Sequence, residues 1–114
     1  MHVTRFDEAN PYDAPRHHDV TALRLQGEEA SPTEIATVGL SHFLPGGSAE
    51  LSSSPRERVY VVLDGAVTVT AGGEQMTLGK YDSCLIPSGE EREVVNNSNN
   101  PATMLVIMPP LDSA

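Results

Sequence analysis

Two arginines lie in strand-like runs. Arg58 opens the β-branched segment RVYVVLD, and Arg92 sits within EREVVN, Glu91 to Asn96. Alternate residues of a strand share a face, so Arg58 travels with Tyr60 and Val62, and Arg92 with Val94 and Asn96. Burying a guanidinium costs several kcal/mol unless it is paired. Its planar donor fork matches a carboxylate or phosphate. The chemistry on offer is recognition of a small anion. The plainer alternative is that both side chains reach the surface along their aliphatic stems and pair with acids there. His42 and Tyr60 are the candidate proton-transfer groups. Histidine titrates nearest neutrality, and a tyrosine hydroxyl beside an arginine could hold a developing enolate oxygen. Each of these residues also has an ordinary structural role open to it, as a packed aromatic or a satisfied wall residue.

Other chemistries find less support. His2, His17, His18, His42, Glu50 and Cys84 are the remaining donors for a metal, and no pair has the short spacing of a common metal motif. His17 and His18 are adjacent, so on an extended segment at most one points inward. Cys84 is the only cysteine. It lies in an apolar run with no Cys–His motif, and a buried, inert thiol is its default. No glycine-rich loop leads into a helix, so nucleotide binding has no support.

The elements that must position these residues are short strands. Val20 to Gln26 alternates apolar with polar. Ile35 to Leu44 reads as a second strand, closed by a turn at Pro45-Gly46-Gly47. Ala49 to Arg56 is serine-rich and irregular. Arg58 to Asp64 is the clearest strand. Val67 to Thr70 and Gln75 to Leu78 flank a glycine turn as a hairpin. Asp82 to Ile86, Glu91 to Asn96 and Ala102 to Met108 complete about eight strands without a helix. Close, even spacing of this kind argues a β-sandwich or barrel of the jelly-roll type. Residues 1–19 read as an extended N-terminal arm and residues 20–114 as one domain.

At 114 residues the core is small for a lone monomer, and a homodimer is expected. The formal charge is −9, which disfavours nucleic acid and anionic membranes as partners. A single cysteine permits no internal disulfide. No apolar run approaches the roughly 20 residues that span a bilayer, and the first residues lack the apolar centre of a signal peptide. A cytoplasmic protein is expected.

Gly46 to Gly65 (GGSAELSSSPRERVYVVLDG) resembles the first signature of the cupin family, and Tyr81 to Asn96 (YDSCLIPSGEEREVVN) resembles the second. The family's glycines, proline and asparagine are met at Gly46, Gly65, Pro87, Gly89 and Asn96. The resemblance implies a double-stranded β-helix, with Ser52, Ser54, Arg58, Tyr60, Val62, Arg92, Val94 and Asn96 on the inner face. It also implies that Val59, Val61 and Leu63 form an apolar outer run that needs a cover. The four positions that hold a metal in the family carry Ser52, Ser54, Arg58 and Arg92. Hydroxyls are weak neutral donors, and guanidiniums have no lone pair to give, so neither a metal nor another cofactor is expected. The first reading is a metal-free cupin that holds a small anionic metabolite through Arg58, Arg92, Ser52, Ser54 and Asn96. Tyr60 and His42 would then serve an isomerase, cyclase or lyase, if any reaction is catalysed. The alternatives are a metal-dependent oxygenase or isomerase with non-standard ligands, and a non-catalytic binding or structural dimer module.

Overall fold

The computed structural model describes residues 1–111. A short 3-10 turn (Phe6–Glu8) precedes nine strands. They are β1 (Asn10–Tyr12), β2 (His17–Gln26), β3 (Thr37–Ser52), β4 (Arg58–Asp64), β5 (Val67–Ala71), β6 (Glu74–Leu78), β7 (Ser83–Ile86), β8 (Arg92–Val95) and β9 (Ala102–Met108). All neighbouring strands are antiparallel, in the order β6-β5-β8-β3-β9-β4-β7, with β2 on β3 and β1 on β2. This is the all-β jelly roll expected from the strand spacing.

The long strand β3 builds the barrel by serving both halves of it. Its first half, Thr37 to Phe43, pairs with β9, and its second half pairs with β8 at Ser48, Ala49 and Ser52. The corner lies at Pro45-Gly46-Gly47. The sequence suggests a turn that ends a strand there; the chain instead bends and continues. Gly46 adopts φ +82, and its amide donates to the Asn96 carbonyl over 2.8 Å. The Asn96 amide donates back to Gly47 over 2.9 Å. A Cβ on Gly47 would lie 2.5 Å from the Asp19 carbonyl oxygen, so the crossing strand tolerates only glycine. The run Ala49 to Ser52, irregular by composition, is held as a strand by these neighbours.

The N-terminal segment is more structured than an extended arm. β1 adds to β2, and β2 begins at His17 rather than Val20. The core contains Phe43, Ala49, Tyr60, Val62, Val67, Val94 and Met104. On the outside, cross-strand rows Leu23–Leu40–Leu105–Val61 and Val38–Ile107–Val59–Leu85 form an uncharged apolar face. Tyr81, at the start of the second signature, adopts φ +69, a conformation costly for a side chain with a Cβ.

Candidate functional site

Strand parity sends Arg58 and Arg92 into the barrel, and both are buried, at 5% and 6% exposure. They sit on the wall of a cavity of about 460 Å³. Arg92 is held on three sides. Its Nε donates to the Tyr60 hydroxyl oxygen over 2.7 Å, and its Nη1 donates to the Glu50 carbonyl over 2.8 Å and to Ser52 Oγ over 3.2 Å. Arg58 is poorly satisfied. Its Nη2 makes one long bond, 3.4 Å, to the Glu90 carbonyl, and its buried Nε has no hydrogen-bond partner among the described residues. Burial lowers the Arg58 pKa; the Tyr60 hydroxyl offsets part of that, and the like charge of Arg92 adds to it.

Five of the chain's six arginines line this one cavity: Arg16, Arg24, Arg56, Arg58 and Arg92. Two of them are occupied elsewhere. Arg24 pairs with Glu29 at 3.7 Å and stacks on the Tyr12 ring, and Arg56 donates to the Pro109 carbonyl over 2.9 Å. Among the described residues, neither Arg58 nor Arg92 forms an ion pair. In a chain of charge −9, this cavity concentrates positive charge. The acids on its wall are Asp13 and Glu28.

The sequence-derived site residues do not all meet here. Ser52, Ser54, Arg58, Tyr60 and Arg92 line the cavity. Asn96 is fully buried but lies outside the lining. Its Nδ2 donates to the carbonyls of Phe43 and Asn100, and its Oδ1 accepts from the Ser98 amide, so it ties down the turn after β8. His42 also lies elsewhere. It belongs to the opposite parity from the cavity-lining Ser41 and Phe43, and on the outer face it meets the Phe6 ring edge-on at 5.9 Å and Thr103 Oγ1 at 3.3 Å. The expectation that His42 serves the site as a proton-transfer group is corrected by the parity of β3, which turns the ring outward. The histidine on the cavity wall is His17. Sequence allowed one of His17 and His18 to face inward, but could not say which without the β2–β3 register.

The donor set does not fit the metal that cupin barrels commonly hold. The corresponding positions present two hydroxyls and two cations, and Arg58 and Arg92 leave no lone pair to share. Among the described residues no three histidines, cysteines, aspartates or glutamates cluster. Cys84 is half-buried against the core, and burial raises its thiol pKa.

Comparisons with known proteins agree with this architecture. The Cupin_2 family, cupin domain, matches residues 39–108. A Mycobacterium tuberculosis protein named beta-D-galactosidase Rv1717 is 46% identical over 106 residues, covering 93% of this chain and 91% of its own. Among solved structures, the polyketide cyclase RemF of Streptomyces resistomycificus aligns with a TM-score of 0.83 at 18% identity, over 96% of this chain and 79% of its own. A Thermotoga maritima protein described as a predicted oxalate decarboxylase aligns with a TM-score of 0.81 at 22% identity, over 97% and 100%. The matched signature positions, the bent β3 and these alignments lead to one conclusion: this chain belongs to the cupin family.

Proposed function

We propose that this cupin binds a small organic anion in its interior, using Arg58 and Arg92, and acts on it by proton transfer without a metal. The observation that carries this reading is a pair of buried guanidiniums that, among the described residues, form no ion pair. Buried like charges are costly, and a carboxylate between them would relieve that cost while filling the unused donors of Arg58. Tyr60 supports a catalytic role. Its oxygen accepts from Arg92, so its own proton is available to a guest. A hydroxyl polarised by a guanidinium is suited to a developing oxyanion. Ser52 and Ser54 offer further hydrogen bonds to polar groups of the guest.

A second reading is favoured by the 46% identity to the galactosidase-named relative: hydrolysis of a β-D-galactoside. Such chemistry ordinarily uses two carboxyl groups, and Asp13 and Glu28 are the acids on the cavity wall. A thermal-shift screen of small organic acids, run beside a nitrophenyl β-galactoside hydrolysis assay, separates the two. Stabilisation by acids that is lost in Arg92→Gln supports the anion site. Galactoside turnover that is lost in Glu28→Gln but kept in Arg92→Gln supports the hydrolase instead.

The apolar outer face supports a homodimer, with a second copy covering Val61 and Leu105. Equilibrium sedimentation tests this: twice the chain mass of 12.2 kDa is expected.

A further inference from the structure

We propose that His17 is the general base of the arginine-lined cavity and works as the neutral ring, with Nε2 as the accepting atom. This rests on the reading of the cavity as a site for a small organic anion.

The register of β2 sets the direction of the side chain. His17 lies opposite Ala49 on β3, and Ala49 lies opposite Val94 on β8. Directly opposed residues of antiparallel strands project to the same face. Ala49 and Val94 are each 1% exposed in the core. His17 therefore projects into the barrel, where it lines the cavity. His18, the next residue, projects outward and meets the Glu50 carboxylate at 2.8 Å. Arg16 and Asp19 flank the pair at φ 63 and φ 54, conformations that fix the path of the chain on both sides.

The tautomer follows from one hydrogen bond. His17 Nδ1 lies 2.9 Å from the Pro15 carbonyl oxygen, which can only accept. In the neutral ring the proton is therefore on Nδ1, and the lone pair is on Nε2. Burial lowers the His17 pKa; the Pro15 bond opposes this, and the charge of Arg92 reinforces it. The charged groups around the ring are Arg92 on β8, His18 on β2, and Asp13 and Arg16 in the turn before β2.

The chain at His17 and the Arg92 side chain are both tied to the backbone of Glu50. The Glu50 amide donates to the Arg16 carbonyl over 3.0 Å, and the Glu50 carbonyl accepts from Arg92 Nη1 over 2.8 Å. One residue of β3 thus sets the spacing between the base and the anion-holding arginine.

The step balances without a redox partner. A guest carboxylate rests on the guanidiniums, and a C–H bond next to the guest's carbonyl breaks. The proton passes to Nε2, giving imidazolium, while the electron pair stays on the guest as an enolate held by the Tyr60 hydroxyl. Return of the proton to a neighbouring atom restores the neutral ring.

Long-range proton–nitrogen NMR of the full chain, free and with pyruvate, tests this, with melting temperature and exchange of the pyruvate methyl protons in heavy water as companion readouts. The free protein is expected to show His17 neutral at pH 7 with its proton on Nδ1. Pyruvate is expected to raise the melting temperature, raise the His17 pKa and exchange its methyl protons. His17→Gln is expected to keep the melting shift and lose at least tenfold in exchange rate. A proton on Nε2 in the free protein overturns the assignment. So does unchanged exchange in His17→Gln, or a melting shift that leaves the His17 nitrogens unmoved. If pyruvate moves neither the melting temperature nor the nitrogens of the wild type, the underlying anion site fails for a keto acid, and the base assigned to it falls too.

Discussion

Arg92 Nε donates to the Tyr60 hydroxyl oxygen over 2.7 Å, joining β8 to β4 across the barrel interior. In the sheet those two strands are separated by β3 and β9, so this bond crosses the cavity end rather than following the ladder. It couples the stability of the barrel to the chemistry of the site.

Removing the hydroxyl separates those two roles. Tyr60→Phe leaves a buried guanidinium N–H without its acceptor, which costs about 1–3 kcal/mol. Urea unfolding is expected to show that loss with an unchanged denaturant slope. The organic-acid melting shift is expected to persist, because both arginines remain, while any proton-transfer activity falls by about 100-fold or more.

Stability is expected to fall in two steps as pH drops. The folded pKa of His17 lies below its ordinary value of 6.5, so the unfolded chain takes up that proton first and stability declines as pH falls below that value. Glu50 has a lowered pKa chiefly because the His18 ring hydrogen-bonds it; desolvation opposes this, and the charges of His18 and Arg16 add to the lowering. Its contribution is present above the ordinary 4.5 and is lost as pH falls below it. Melting curves of His17→Gln are expected to lack the upper step and keep the lower one; His18→Gln removes the lower step.

Backbone geometry gives opposite outcomes at two positions. Gly47→Ala drives a Cβ into the Asp19 and Leu44 carbonyl oxygens, at 2.5 and 2.9 Å, and is expected to cost about 2–3 kcal/mol. Tyr81→Gly relieves a positive φ of 69 at an exposed residue. Set against glycine's entropic cost, a net gain of about 0.5–1 kcal/mol is expected in chemical denaturation.

Much of this was legible in the sequence for a physical reason. The β4 and β9 limits follow from apolar runs stopped by Gly65 and by Pro109-Pro110. Period-two alternation puts Arg58, Tyr60 and Val62 on one face, and the family resemblance implies that this face is the inner one. Asn96 is expected from the sequence among the ligand-binding residues, yet it lies outside the cavity lining, because a strand's parity does not reveal that its last residue caps a turn. His42 and His17 depend on register across β2, β3 and β9. Bulges at His18/Val20 and Arg24/Gln26 shift that register, and no local pattern encodes the shift. The continuous β3 was hidden because Pro45-Gly46-Gly47 has turn chemistry, and only its partners on β8 make it a bend.

The outer face is expected to assemble two copies. Leu105→Glu places a charge at the centre of the apolar rows Leu40–Leu105–Val61. Sedimentation is expected to show monomers at micromolar concentration, with His42→Gln unaffected in anion binding because that ring faces away from the cavity.

Calorimetric titration of malonate, pyruvate, D-galacturonate and neutral D-galactose into the wild type and into Arg58→Gln/Arg92→Gln asks most directly whether the interior cations hold an anionic guest. At least one acid is expected to bind at one per chain, at least tenfold more tightly than galactose, with that preference gone in the double variant. Acid binding that persists undiminished in the double variant, or galactose bound as tightly as its charged counterparts, would contradict it.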